Sequence, residues 1–86
     1  MIIKKELIKR EIAGETILIP VGKSVYDSHG LFAINGVGSF LWDQIPNAQT
    51  EENLLKAVLN EYEVTETVAR QDIAEFLDKL REMNII

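Results

Sequence analysis

The sequence predicts an α+β domain in which a three-stranded antiparallel sheet is followed by three helices. Three observations carry this. Short runs rich in β-branched residues fill the first third of the chain and are punctuated by Gly14, Gly22 and Gly30. From Asn35 onward the apolar period becomes helical. The last two helical stripes are separated by only a few residues around Glu63-Val64, as in a helix-turn-helix. A small sheet beside that unit is a winged helix-turn-helix-like arrangement, and the 86 residues form a single domain, 1–86.

Each element has its local reason. Leu7-Ile8-Lys9-Arg10-Glu11-Ile12-Ala13 and Thr16-Ile17-Leu18-Ile19-Pro20-Val21 read as two strands. Gly14-Glu15 between them predicts a type II′ hairpin, with Gly14 supplying the positive φ. Pro20 has no N–H and belongs at a strand end or edge. The polar stretch from Gly22 to Gly30 reads as a loop with a short extended piece at Val25-Tyr26. Leu31-Phe32-Ala33-Ile34 is a third strand, bounded by Gly30 and Asn35.

Asn35 caps a first helix with Val37, Phe40, Leu41 and Ile45 on its apolar face, and Pro46-Asn47 is expected to end it. Trp42 lies off that stripe and reads as core or subsidiary packing with some exposure, against a role at an interface. Thr50 with Glu51 and Glu52 starts a second helix, whose stripe is Leu54, Leu55, Val58, Leu59 and Tyr62. Thr65 caps the third, from Glu66 to Glu82, with Val64 placed as a hydrophobic staple against Ala69. Ala69, Ile73, Phe76, Leu77 and Leu80 form its buried face. Asn84 is a left-handed stop, and Ile85-Ile86 fold back onto the body.

Composition removes several functions. With no cysteine there is no disulfide framework, Cys-containing zinc site, iron–sulfur cluster or thiol nucleophile. His29 is the only histidine and reads as solvated loop polarity beside Tyr26, Asp27 and Ser28. The carboxylate pairs Glu51/Glu52, Glu61/Glu63, Asp72/Glu75 and Asp78/Glu82 fall on helix faces opposite the apolar stripes, where solvated faces explain them. Gly36-Val37-Gly38 lacks the Gly-Lys-Ser/Thr ending of a phosphate loop. No catalytic residue, metal site or cofactor is expected. The chain also lacks a membrane-length apolar run or a signal-peptide core, so a cytoplasmic protein is expected.

Charge separates the helix-turn-helix from its usual role. Residues 1–35 sum to +1 and residues 36–86 to −6, giving the net −5. The third helix carries Glu66, Asp72, Glu75, Asp78 and Glu82 against Arg70, Lys79 and Arg81. Acids at the backbone repel phosphate where a DNA reader places Lys or Arg, so nucleic-acid binding is not expected. A winged-helix DNA-binding regulator remains as an alternative reading, as does a structural protein-interaction subunit.

The surface left to explain is the sheet edge. Lys4, Lys5, Lys9 and Arg10 guard the first strand, whereas Leu31 to Ile34 carry no charge. Either the third helix or a peptide covers that edge. On a helical wheel Val68, Asp72, Lys79 and Met83 share one shoulder of the third helix, with Phe76 at its boundary. On the residues alone this shoulder reads either as a groove wall or as terminal residues tolerated on the surface.

The ordered runs Gly14-Glu15-Thr16-Ile17-Leu18-Ile19-Pro20-Val21-Gly22, Gly30-Leu31-Phe32-Ala33-Ile34-Asn35 and Val37-Gly38-Ser39-Phe40-Leu41-Trp42 resemble the pyrroloquinoline quinone biosynthesis protein D (PqqD-like) family. So does the later run through Thr50-Glu51-Glu52, Tyr62-Glu63-Val64 and Asp72 to Leu80, so that the resemblance spans about Leu7 to Ile86. Gly36 and Asn84 depart from the family pattern, where an acid and a glycine are usual. The resemblance implies a non-catalytic recognition element for ribosomally synthesised, post-translationally modified peptides. Such an element binds the leader segment of a precursor peptide as an added strand. It presents that leader to a modifying enzyme, often a radical SAM protein, or to a leader peptidase. Carried over by position, the backbone pairing falls on Leu31, Phe32, Ala33 and Ile34, and the opposite wall on Val68, Asp72, Phe76 and Lys79. Affinity is expected from strand addition plus apolar anchors, and selectivity from Asp72 and Lys79.

Overall fold

The computed structural model describes residues 1–27 and 30–86, so the reading of Ser28 and His29 lies outside the described residues. Its elements run β1 (Leu7–Ile12), β2 (Glu15–Pro20), α1 (Ser24–Asp27), β3 (Phe32–Ile34), α2 (Gly36–Ala48), α3 (Glu51–Glu61) and α4 (Glu66–Glu82). The sheet is antiparallel with strand order β1-β2-β3, so β1 and β3 are both edges. The expected architecture of three strands followed by three long helices is present, with α1 as an added single turn. Around Val25 the chain is helical rather than extended. Ser24 explains part of this, because its buried hydroxyl accepts the Glu6 N–H at 2.6 Å and holds the turn against the start of β1.

The hairpin differs from the expected one. Ile12 pairs with Glu15, leaving Ala13 and Gly14 as the loop, with φ of 53° and 82°. Positive φ at both central residues is the type I′ signature, not type II′. The register explains the choice. A loop at Gly14-Glu15 would slide β1 by two residues and place Glu11, rather than Lys9, opposite Leu18. Lys9 faces the helices, and its Nζ reaches Asp43 Oδ2 at 2.6 Å and Ser39 Oγ at 2.9 Å. Glu11 in its place would set two carboxylates against each other. Lys9 therefore ties β1 to α2 instead of guarding the edge.

Helix α2 also runs further than Pro46-Asn47, ending at Ala48 with Gln49 in the left-handed region at φ 65°. Continuing past the exposed Pro46 buries Ala48 beside Ile45, and Asn53 Nδ2 donates to the Ala48 carbonyl at 2.8 Å. The Asn35, Thr50 and Thr65 side chains each accept the N–H three residues on, as N-caps. Asn84 is left-handed at φ 58°, and Ile85 is buried.

The core joins Leu18 from the sheet to Leu41, Ile45, Leu54, Leu77, Leu80 and Ile85, all fully buried. Trp42 belongs to it as well, at 9 % exposure, in line with the packing reading and with less exposure than its place off the stripe suggested. Leu59 departs the other way and is exposed, while Tyr62 follows the end of α3 and meets the Phe40 ring edge-on at 5.4 Å. Val64 keeps 40 % of its surface exposed, so the staple buries little. At the surface, Arg70 pairs with Glu52 at 2.9 Å and Arg81 with Glu51 at 3.3 Å, linking α4 to α3. The Arg70 hydrogen bond holds the Glu52 carboxyl below the usual carboxylate range.

The left-handed Ala13 gives a direct test. An L-residue with a Cβ costs about 1–2 kcal/mol in that region, and Asn tolerates it better. Ala13→Asn is expected to raise Tm by roughly 4–8 °C per kcal/mol recovered in a domain of this size. Calorimetry showing a lowered Tm would contradict a type I′ turn at this position.

Candidate functional site

Ladder geometry decides what β3 can offer. In an antiparallel ladder, bonded and non-bonded pairs alternate. The Val21 N–H donates to the Glu6 carbonyl at 2.9 Å, so that pair is bonded and sets the phase along β1 and β2. Ile8/Ile19, Arg10/Ile17 and Ile12/Glu15 are then the bonded pairs. Pro20 falls on a non-bonded pair, where its missing N–H is not needed by β1. Thr16 and Leu18 turn their backbone groups the other way, toward Ile34 and Phe32 of β3. Ala33 is left over. Its N–H and C=O point away from β2, into the open edge.

A groove of about 260 Å³ runs along that edge, between β3 and α4. Its floor is apolar, formed by Ile34, Val37, Leu41 and Phe76. Asp72, Glu75 and Lys79 stand along the α4 side. Gly38, buried in the first turn of α2, sets how closely the walls approach. A Cβ there would meet Phe76 Cε1 at 3.2 Å and the Ile34 Cβ at 3.3 Å. Phe76 is thus wedged against β3 and α2 at this point. The Lys79 ammonium lies 5.7 Å from the centre of the Phe32 ring, a cation–π distance. Lys79 therefore marks the Phe32 end of β3, and Phe76 the Ile34 end, so α4 and β3 run in opposite directions.

The structure brings together most of the residues expected from sequence. Ala33, Ile34, Asp72, Phe76 and Lys79 line the groove, and Phe32 joins it through Lys79. Two do not fit as well. Val68 is 46 % exposed in the first turn of α4 and lies outside the groove lining. Leu31 precedes β3 and is 58 % exposed, so it is not part of the paired strand. Met83 is not on the wall either; it packs against the core as the C-cap of α4.

Asn35, Val37, Gly38 and Leu41 were not expected, because the floor comes from the start of α2 rather than from the helix opposite. One signal was available: a glycine inside a helix costs about 1 kcal/mol relative to Ala, which at Gly38 points to a close approach. Glu75 lies at about 240° on the wheel, just beyond the shoulder that Asp72 and Lys79 share, so periodicity alone does not single it out.

The fold and groove define a class: a small α+β domain with an open sheet edge and a helix standing off from it. Residues 15–86 match the family Coenzyme PQQ synthesis protein D (PqqD), and the chain belongs to that family. No curated protein sequence matches the chain. Among solved structures, the chain is similar to TbiB1, solved in complex with the TbiA(beta) leader peptide. The TM-score is 0.74 at 22 % identity, covering 99 % of this chain and 93 % of that one.

Phe76 is the residue on which the groove depends. Its ring is 9 % exposed and opens on the groove at one side, so Phe76→Ala is expected to cost about 3 kcal/mol, the low end for such truncations. Urea unfolding with circular dichroism measures it. A loss under about 1 kcal/mol would mean that the ring is not wedged between β3 and α2.

Proposed function

We propose that this protein is a non-catalytic adaptor of ribosomal peptide modification. It binds the leader segment of a precursor peptide as a strand added to β3 and presents it to a modifying enzyme, such as a radical SAM protein or a leader peptidase. The observation that carries this reading is the outward N–H and C=O of Ala33, held beside a preformed groove. Family membership and the leader peptide bound by the structural neighbour support it. Phe32, Ala33 and Ile34 supply the edge, with Leu31 joining it only if the added strand extends past β3, and Asp72, Phe76 and Lys79 form the facing wall. Val68 contributes only if the peptide extends past the first turn of α4.

Chemistry is left to the partner. Among the described residues no group of three or more His, Asp or Glu side chains could hold a metal ion. Among the described residues no helix is long and apolar enough to cross a membrane.

Ala33→Pro tests strand addition with little damage to the sheet. The Ala33 N–H makes no bond to β2, and proline is tolerated on edge strands at such positions. The variant is expected to stay folded and to bind a leader peptide encoded near its gene about tenfold more weakly, through one lost backbone bond and crowding by the ring. An NMR titration reads both. Unaltered affinity, or amide shifts confined outside residues 31–38 and 72–79, would sink the proposal.

A further inference from the structure

The groove also has a polarity that its backbone edge converts into a sequence requirement on the bound strand. Directly opposite residues of a sheet share a face. A residue paired with Ala33 therefore points with Ala33 to the outer face, away from α4. Its two neighbours, opposite Ile34 and Phe32, point inward to the groove. The two inward positions meet different surroundings. At the Ile34 end stand Asp72 and Glu75, above an apolar floor of Val37 and Phe76. At the Phe32 end stands Lys79.

These wall charges are not consumed inside the protein. Asp72 and Lys79 have no ion-pair partner among the described residues, whereas their neighbours Arg70, Asp78 and Arg81 on the same helix are all paired. Among the described residues Glu75 is held only by a long contact from Gln71 Nε2, at 3.4 Å. An inward side chain opposite Ile34 must cross apolar floor and end beside carboxylates. Lys and Arg fit both demands, with an apolar stem and a charged head. An inward side chain opposite Phe32 meets an ammonium and is best served by a carboxylate.

Direction completes the argument. The existing sheet is wholly antiparallel, and antiparallel pairing is somewhat more stable per residue. A strand running antiparallel to β3 passes Ile34 first, then Ala33, then Phe32. We infer that the segment this groove selects carries the triplet basic–any–acidic, Lys or Arg opposite Ile34 and Asp or Glu opposite Phe32, in that order from its N-terminus. This inference rests on the strand-addition reading above and specifies the ligand class of the same site.

The test is selection of displayed random short peptides on the intact protein. It is repeated on a charge-exchanged variant carrying Asp72→Lys, Glu75→Lys and Lys79→Glu, with folding checked by circular dichroism. Peptides enriched on the natural protein are expected to share the basic–any–acidic order, and those enriched on the variant the acidic–any–basic order. A synthetic peptide with its two charges exchanged should bind the natural protein about tenfold more weakly, since like charges are then juxtaposed at both ends. Enriched peptides that shift the Ala33 amide without a charge order, or with an order the variant does not invert, would overturn this inference and leave the adaptor reading intact. Enrichment of the acidic-first order on the natural protein would overturn it too, by showing a parallel strand. If no enriched peptide shifts the Ala33 amide, the strand-addition reading falls and takes this inference with it.

Discussion

The alternation of hydrogen-bond direction along β2 is the constraint on which the rest of this structure depends. Leu18 must face the core, where it is fully buried, and that fixes which side of the sheet the helices cover. The Glu6–Val21 bond fixes the phase of the ladder. Together they commit the backbone groups of Thr16 and Leu18 to β3 and leave those of Ala33 facing outward. An open donor and acceptor at this position are thus a consequence of how the hairpin pairs, not a local accident of a short strand.

The helices keep that edge open. Phe76 closes against α2 at Gly38 and lies next to Ile34 of β3, an apolar contact that props α4 beside β3 rather than over it. The opposite side of α4 is tied to α3 by Arg70–Glu52 and Arg81–Glu51. Exposed pairs of this kind contribute little stability each. Their position still matters, because they use up the cations on the α3 side and leave Lys79 as the cation of the groove wall. Burial of Ala69, Ile73, Leu77 and Leu80 sets the rotation of α4, and that rotation alone delivers Asp72, Glu75 and Lys79 to the groove.

Much of this was legible in the sequence, for identifiable reasons. The caps at Asn35, Thr50 and Thr65 and the stop at Asn84 are local chemistry, and each was readable from a few neighbouring residues. The buried face of α4 follows from its period. The hairpin type was not legible, because Gly14 suits either loop and the choice was made at a distance, by Lys9 finding Asp43 and Ser39. Pro46 misled for a similar reason: burial of Ala48 outweighs the break it threatens in the last turn. In the site, β3 and one face of α4 could be read from charge and periodicity. The α2 floor could not, since Val37 and Leu41 are ordinary core-type residues until the third element is seen to approach. Val68 shared the right angular position but lies too far along the helix axis for a strand of three residues to reach.

If a peptide adds to β3 as proposed, the brevity of that strand bears on what would distinguish one ligand from another. Only Ala33 offers both its groups to an added strand within the paired segment. Asn35 has the same phase, but its carbonyl accepts the Ser39 N–H at 2.9 Å and its side chain caps α2. Leu31 has that phase too, yet it lies outside the strand. A docked peptide can therefore gain only a few backbone hydrogen bonds, each worth about 0.5–1.5 kcal/mol net. Association costs at least about 4 kcal/mol in lost freedom, which outweighs that gain. Backbone pairing then fixes direction and register but leaves no affinity over. The surplus has to come from the inward side chains, on the apolar floor around Phe76 and against the charges of Asp72, Glu75 and Lys79. On the proposed strand addition, selectivity and affinity reside in the same few contacts, and a peptide that satisfies the edge but not the wall would dissociate readily.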